Sequence, residues 1–220
     1  MVSPQKHEFI EFMIRSDVLR FGSFKTKSGR LSPYFINTGN YRTGAQISAL
    51  GKFYATRIWE TCGNRFDAMF GPAYKGIPLA ASAAASLYEN YAIDKPYFFN
   101  RKETKDHGEG GNLIGYRPQN GDRVIIIEDV ITAGTAIRET LPVLKSAADV
   151  KVTDMFISVN RCEVGQHPGK TAVSEVMEEF GIRVHPIVTV QDIYEYVKGC
   201  AEYTDSIPLM EQYMQQYCIL

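Results

Sequence analysis

The segment from Val124 to Thr135 constrains the fold of this chain more than any other. Four consecutive β-branched residues, Val124 to Ile127, favour a strand that is buried on both faces. Two carboxylates, Glu128 and Asp129, stand where that strand should end, and the small, hydroxyl-rich run from Thr132 to Thr135 precedes a helix-like stretch. A strand, a small-residue turn and a helix N-terminus together predict a phosphate site, because backbone N–H groups converge on the anion.

The two carboxylates narrow the choice of ligand. They would repel a bare phosphate, whereas sugar hydroxyls can donate hydrogen bonds to them, so a ribose 5-phosphate satisfies both parts of the segment. The alternative is purely structural, since apolar runs often end in Asp and the threonines at 132 and 135 could simply cap a helix. We favour ligand binding because the acidic pair and the turn occur together.

Strand-like and helix-like stretches alternate along the rest of the chain. The predicted strands are 67–70, 97–100, 124–127, 152–159 and 184–190, and the predicted helices are 43–59, 77–91, 136–146, 173–180 and 192–198, after a first helix that begins at Ser3-Pro4. This alternation predicts one α/β domain over 1–220, with a doubly wound, mostly parallel sheet flanked by helices. The pattern of residues 21–37 predicts a short hairpin. We expect this hairpin to belong to a small hood built largely from 1–42 and the C-terminal region. Ligands of such sheets lie beyond the strand C-termini.

Composition excludes several classes of protein. The formal net charge of -1 argues against a nucleic-acid module with a large basic surface. Scattered cysteines without Cys-x-x-Cys spacing argue against a disulfide framework or zinc site and fit reduced thiols. No stretch approaches the ~18 apolar residues of a spanning helix, and the N-terminus has no signal-peptide core. We therefore expect a cytoplasmic enzyme that binds neither nucleic acid nor a membrane.

Two loops carry further candidate residues for an anionic ligand. In the loop 71–76 the glycines permit close backbone approach and Lys75 offers a point charge for phosphate; the alternative is an ordinary loop with a solvated lysine. The polar loop 101–115 is long for a compact domain. If extended, it places Arg101, Lys105 and His107 on one face, which suits pyrophosphate; the alternative is a solvated surface loop.

A third segment suits a planar, negatively charged ring. The basic run 25–30 precedes the apolar residues 34–36, so stacking and ion pairing could act together. On its own, this pattern more often indicates a hairpin with a core aromatic residue. Arg161, just after the strand 152–159, could reach the same cleft.

Together these segments resemble the orotate phosphoribosyltransferase family, which has the type I phosphoribosyltransferase fold. The similarity covers nearly the whole chain, and the segments that carry it are 21–30, 32–35, 71–78, 101–111 and 128–136. The motif 128–136 is shared by many phosphoribosyltransferases. The segments around Lys27, Lys105 and His107 are more specific and indicate orotate as the base.

The resemblance implies an activity and its components. Such enzymes transfer the 5-phosphoribosyl group from phosphoribosyl pyrophosphate to orotate, giving orotidine 5′-monophosphate and pyrophosphate in pyrimidine biosynthesis. Catalytic roles are implied for Lys105, His107, Glu128 and Asp129. The cofactor is Mg²⁺, carried mainly by the substrate, so no protein metal ligand is expected. A lid loop 101–115 that reaches the neighbouring subunit implies a homodimer.

The resemblance also implies two sets of binding residues. Those for phosphoribosyl pyrophosphate are Lys27, Tyr74, Lys75, Arg101, Lys102, Lys105, His107, Glu128, Asp129, Val130, Ile131, Thr132, Ala133, Gly134, Thr135 and Ala136. Those for orotate are Lys27, Phe35, Ile36, Thr132 and Arg161. Position 36 is Ile where many members carry a second Phe, so this side chain can cover a ring but offers no π face.

Two alternatives stay open at this point. One is a phosphoribosyltransferase for another nucleobase, such as a purine. The other is a non-catalytic regulator that binds phosphoribosyl pyrophosphate, for which the sequence offers no evident partner-binding domain.

Overall fold

The computed structural model describes residues 2–26, 29–102, 112–131 and 134–220, and at residues 135 and 136 the backbone alone. Its helices are α1 (Pro4–Arg15), α2 (Gly44–Cys62), α3 (Gly76–Tyr91), α4 (Thr135–Ala147), α5 (Ala172–Phe180), α6 (Val190–Lys198) and α7 (Ser206–Tyr217). Its strands are β1 (Leu19–Lys25), β2 (Leu31–Ile36), β3 (Ala68–Gly71), β4 (Tyr97–Asn100), β5 (Leu113–Gly115), β6 (Arg123–Ile127), β7 (Lys151–Asn160) and β8 (Arg183–Thr189). None of the described helices is long and apolar enough to cross a membrane.

The central sheet has the strand order β5-β4-β3-β6-β7-β8. Neighbouring strands are parallel except at one edge, where β5 pairs with β4 in the antiparallel sense. The predicted doubly wound, mostly parallel sheet is therefore confirmed. Strand β6, which carries the acidic pair at its end, lies between β3 and β7 in the interior of this sheet.

Helices cover both faces of the sheet because β6 is apolar on both faces. Ile125 and Ile127 join a core that contains buried residues of α1, α2, α3, α6 and α7, whereas Val124 and Ile126 join a second core with residues of α4 and α5. Successive strand side chains point to opposite faces, so an unbroken apolar run serves both cores.

A separate antiparallel hairpin, β1–β2, lies beside the sheet and packs against α7. The register shifts between Phe21 and Phe24. The predicted hairpin at 21–37 is confirmed, although β1 begins earlier, at Leu19. Lys27 and Ser28, in the segment between the two strands, lie outside the described residues.

Two boundaries differ from the prediction. Val190 was assigned to a strand but begins α6, because the Thr189 side chain and Asp192 form a reciprocal capping box that starts the helix there. The end of the predicted loop 101–115 is not loop: Leu113–Gly115 forms β5, pairing along the otherwise free edge of β4.

Candidate active site

Two buried carboxylates follow the last residue of β6 directly. Glu128 is 8% exposed and Asp129 is 6% exposed. Neighbouring elements hold their backbone: the Tyr54 hydroxyl donates to the Glu128 carbonyl oxygen at 2.7 Å, and Ser158 Oγ donates to the Asp129 carbonyl oxygen at 2.6 Å. Helix α2 and strand β7 therefore fix the position of both acids.

The Asp129 carboxylate joins three segments that are distant in sequence. Its Oδ2 accepts from Thr38 Oγ1 at 2.7 Å and from Lys75 Nζ at 2.8 Å, while Oδ1 accepts from the Val130 N–H at 2.7 Å. Lys75 also lies 3.2 Å from Thr38 Oγ1. The Lys75 side chain is 60% exposed, so its ammonium group can turn from Asp129 to an incoming anion.

Glu128 has a perturbed acidity. Burial raises its pKa to about 7, and the neighbouring Asp129 charge adds to this effect, against the hydrogen bond that the Asp129 N–H donates to Oε1 at 3.0 Å. A carboxyl group that is part protonated near neutral pH can both donate and accept hydrogen bonds. This property suits contact with a sugar hydroxyl.

The loop between β3 and α3 is folded tightly against the end of β6. A Cβ on Gly71 would lie 2.3 Å from the Gly76 carbonyl oxygen, and a Cβ on Gly76 would lie 2.8 Å from the Ile127 carbonyl oxygen. The Ala73 N–H donates to Asn100 Oδ1 at 2.9 Å, which ties the loop to the end of β4. Glycine at both ends thus brings Lys75 to the carboxylates.

A cavity of about 520 Å³ opens beside this cluster. Its volume is in the range of small-molecule sites. The polar and aromatic residues in its lining include Thr38, Tyr41, Arg42, Tyr54, Tyr74, Lys75, Asp129 and Ser158. One carboxylate, two cations and several hydroxyls therefore share one opening at the C-terminal edge of the sheet.

The chain leads from the carboxylates into the N-terminus of α4. Val130 bridges to Val159 of β7, and Ile131 is half-buried. Gly134, in a left-handed conformation with φ 66°, is the N-cap residue of α4, so the backbone of Thr135 and Ala136 forms the first turn of that helix, where N–H groups have no partner within the helix. Thr132 and Ala133 lie outside the described residues.

The cations predicted for pyrophosphate fall into two groups. Arg101 and Lys102 lie at the end of β4, and Lys102 Nζ is 5.3 Å from the ring centroid of Tyr74 in the 71–76 loop. The structure thus brings Lys102 to the loop that carries Lys75. Lys105 and His107 lie outside the described residues.

The residues predicted for the base occupy separate positions. Phe35 is 37% exposed and stacks on Phe24 at 5.4 Å between ring centroids, whereas Ile36 packs against the main core. Consecutive side chains on β2 point to opposite faces, so the two do not share one surface. Lys27 lies outside the described residues.

Arg161, also predicted for the base, sits between Tyr34 and Glu163. Its guanidinium carbon is 5.1 Å from the Tyr34 ring centroid, and its Nη2 lies 2.7 Å from Glu163 Oε1. Burial opposes its charge, but Tyr34, Glu163 and Tyr213 outweigh burial and raise the pKa of the guanidinium above its usual value. Arg161 is therefore a fixed cation.

Three residues at the centre of the site were not predicted: Thr38, Tyr54 and Ser158. Thr38 follows β2 in the small-residue run Asn37-Thr38-Gly39, which is a weak signal for a functional turn. Its partner Asp129 lies 91 positions further along the chain. Only the fold brings these side chains together.

Among the described residues, no group of three or more His, Cys, Asp or Glu side chains is placed to hold a metal ion. The Asp129 oxygens are already engaged by Thr38, Lys75 and the Val130 N–H.

Comparison with known proteins points to one family. The family model of the phosphoribosyl transferase domain matches residues 37–174. An orotate phosphoribosyltransferase of Clostridium acetobutylicum is 54% identical over 87% of this chain and 85% of its own length, and one of Clostridium beijerinckii is 48% identical over 96% and 97%.

Solved structures agree with these relatives. A crystal structure of orotate phosphoribosyltransferase from Francisella tularensis has a TM-score of 0.86 and 38% identity, covering 96% of this chain and all (100%) of that chain. A UMP synthase of Leishmania donovani has a TM-score of 0.72 at 22% identity, covering 96% of this chain and 42% of that one. The second similarity concerns the fold alone.

Proposed function

This chain belongs to the orotate phosphoribosyltransferase family, and from that premise we propose that it transfers the 5-phosphoribosyl group from phosphoribosyl pyrophosphate to orotate. The products are orotidine 5′-monophosphate and pyrophosphate, and the reaction belongs to pyrimidine biosynthesis. The observation that carries the proposal is the Asp129 cluster, in which a buried carboxylate, the exposed cation Lys75 and the hydroxyl of Thr38 meet beside an open cavity.

The proposed roles of the sugar-binding residues follow from where they lie. Glu128 and Asp129 bind the ribose hydroxyls; Asp129 lines the cavity, and Glu128 directly precedes it at the end of β6. The segment 130–136 binds the 5′-phosphate through the backbone N–H groups at the start of α4. This segment follows Asp129 directly in the chain, which supports adjoining sites for the ribose and its phosphate.

The proposed roles of the cations concern the leaving group. Lys75, Arg101 and Lys102 bind pyrophosphate from two adjoining loops, supported by the approach of Lys102 to Tyr74. Lys105 and His107 complete this set from the loop between β4 and β5. Lys27, Phe35, Thr132 and Arg161 address orotate through their side chains, and Ile36, whose side chain packs against the core, contacts it through its backbone.

The reaction needs little covalent chemistry from the protein. The bond from the anomeric carbon to a pyrophosphate oxygen breaks while a bond from that carbon to an orotate nitrogen forms, and the proton of that nitrogen passes to the departing pyrophosphate or to solvent. Positive charge develops on the ribose and negative charge on pyrophosphate. Carboxylates near the first and cations near the second stabilise this separation, and correct placement of the base supplies the remaining advantage.

Magnesium, assembly and location form part of the same proposal. Mg²⁺, held mainly by oxygens of the substrate, would neutralise charge on the pyrophosphate. The chain acts as a cytoplasmic homodimer in which the loop between β4 and β5 reaches the neighbouring subunit. Exposed aromatic side chains such as Trp59 and Tyr88, 44% and 63% exposed, are consistent with a protein interface.

A direct assay tests the activity. The purified chain, mixed with orotate, phosphoribosyl pyrophosphate and Mg²⁺, should consume orotate, as followed by the loss of its ultraviolet absorbance. Adenine and hypoxanthine in place of orotate serve as controls. Consumption of a purine but not of orotate would replace this proposal with a purine-specific enzyme, and binding without turnover of any base would indicate a regulator.

A further inference from the structure

A compact hydrogen-bonded group surrounds Arg161, and we call Arg161, Glu163 and Tyr213 the Arg161 triad. Glu163 Oε1 lies 2.7 Å from Arg161 Nη2 and accepts from the Tyr213 hydroxyl at 2.6 Å. Arg161 Nη2 in turn lies 3.3 Å from the Tyr213 hydroxyl oxygen. Each member thus contacts the other two, which fixes the guanidinium more firmly than a single ion pair would.

Glu163 also reaches the hairpin. Its second oxygen, Oε2, lies 3.6 Å from Nη1 of Arg30, in the segment between β1 and β2. The Arg30 guanidinium carbon lies 5.0 Å from the ring centroid of Tyr217 in α7. The Glu163 carboxylate therefore links Arg161, which follows β7, to Arg30 of the hairpin segment. The two elements proposed to bind the base are thus held by the same side chain.

Helix α7 holds this anchor in place through its backbone as well. The Val164 N–H donates to the Tyr217 carbonyl oxygen at 2.9 Å, and the Ile219 N–H donates to the Cys162 carbonyl oxygen at 2.8 Å. Tyr34 of β2 meets Tyr213 edge-on at 5.9 Å between ring centroids. The end of α7 is thus attached to the residues on both sides of Glu163.

The charges leave capacity for a further anion. Two guanidinium groups share the single carboxylate of Glu163, and the side chains of Arg161 and Arg30 remain 20% and 32% exposed. A planar ligand carboxylate matches the fork of N–H donors that a guanidinium group presents. The arrangement suits recognition of a negatively charged heterocycle.

We propose that Glu163, held by Tyr213, is a positioning residue that sets Arg161 and Arg30 around the base subsite and so determines the affinity for orotate. This role rests on the proposed function, in which Arg161 addresses orotate. It also gives α7 a part in substrate selection, since Tyr213 belongs to that helix and touches no atom of the Asp129 cluster in the described contacts.

The test separates the two substrates. Glu163→Gln keeps the shape of the side chain and removes its charge, and Tyr213→Phe removes the hydroxyl that joins Glu163 to Arg161. We expect the KM for orotate to rise by about tenfold in Glu163→Gln and several-fold in Tyr213→Phe, since displacing a binding group by ~1 Å has effects of this size or larger. The KM for phosphoribosyl pyrophosphate should stay within about twofold of wild type, because the Asp129 cluster is untouched.

A matched pair of control variants removes a different contact of helix α7. The Tyr194 hydroxyl of α6 contacts Glu211 of α7, away from Arg161. Tyr194→Phe and Glu211→Gln remove the same chemical groups and loosen the same helix, so both should leave the KM for orotate unchanged. Equal rises in these controls would mean that α7 acts only as a structural support, and would overturn the role of Glu163.

The remaining outcomes are also decisive. If the wild type is active and both Glu163→Gln and Tyr213→Phe keep its KM for orotate, the positioning role is overturned and the proposed function stands. A rise for both substrates together has the same meaning, because it indicates general disruption. A folded wild type without activity toward orotate would overturn the proposed function first. If Glu163→Gln fails to fold, Tyr213→Phe, which retains the charge pair, decides the question.

Discussion

Asp129 shows how a single side chain acquires its role from distant parts of the chain. Its carboxylate is directed by the hydroxyl of Thr38, the ammonium of Lys75 and the N–H of Val130. In the absence of substrate these groups satisfy a buried charge that would otherwise be costly. A ribose hydroxyl can replace the Thr38 or Lys75 contact, and the Asp129 carboxylate then still has hydrogen-bond donors.

Replacement of Asp129 tests this dual role. Asp129→Asn keeps the size of the side chain and the contact with Val130, so the fold should persist, while turnover should fall by about 10²-fold because the ribose loses its orientation. Steady-state kinetics and circular dichroism measure the two properties. Asp94→Asn, at an exposed loop position, is the control and should behave as wild type. An unfolded Asp129→Asn protein would mean that the carboxylate is structural.

Glu128 predicts a pH dependence of stability. The unfolded carboxyl group has its usual pKa near ~4.3, whereas burial raises the folded value to about 7. Between these values the folded protein binds more protons than the unfolded chain, so the free energy of unfolding falls as pH rises through the interval.

Glu128→Gln should remove that fall, which we expect to be on the order of 2 kcal/mol. Urea unfolding at about pH 5 and about pH 8 measures it, with wild type losing more stability than the variant over this range. Equal losses in the two proteins would show that Glu128 is not the group responsible.

At the scale of elements, the β3–α3 loop is the most tightly constrained part of the site. Gly71 and Gly76 approach each other and the end of β6 so closely that neither position has room for a methyl group. Gly71→Ala should destabilise the protein by about 1–3 kcal/mol, as overpacking does, and should displace Lys75 enough to weaken binding of phosphoribosyl pyrophosphate.

The control for this variant is Gly44→Ala, at the start of α2, where a Cβ would meet no atom within 4 Å. It should be neutral or slightly stabilising, since alanine favours helix. Thermal unfolding and calorimetric titration compare the two proteins. Similar behaviour of both alanine variants would contradict the close approach at Gly71.

The helices and strands predicted from the sequence are correct where the local residue pattern favours the same element as the packing of the fold. Residues 124–127 are all apolar, a pattern that predicts a strand buried on both faces. The prediction that Glu128 and Asp129 lie at the end of that strand depends on it. Val190 was misassigned because the capping of α6 by Thr189 overrides a β-branched residue. Helix α7 was not predicted, although Ile207, Met210 and Met214 recur at helical spacing.

Contacts between distant segments could not be predicted in the same way. The meeting of Thr38 with Asp129, or of Arg30 with Glu163, depends on how the hairpin docks beside the sheet, and no spacing in the chain encodes it. The signal for such residues lies in their chemistry alone. A short polar residue next to glycine, or an acid two positions after an arginine, is too common to single out.

For the whole molecule, the site lies where several independently packed elements converge. The carboxylates follow β6, Lys75 lies in the β3–α3 loop and Thr38 follows the hairpin. The predicted phosphate site lies at the start of α4. These elements belong to both cores of the protein. A ligand that contacts all of them therefore stabilises the native state against global unfolding rather than one loop.

Phosphoribosyl pyrophosphate should accordingly raise the melting temperature of the whole chain. At about 100 times its Kd, a ligand specific for the native state adds ~2.7 kcal/mol, which for a protein of this size corresponds to roughly 5–10 °C. Differential scanning calorimetry with Mg²⁺ measures the shift. Asp129→Asn should reduce it, whereas Asp94→Asn should not. A full shift in Asp129→Asn would place the ligand elsewhere, because a site away from β6 has no reason to depend on this carboxylate.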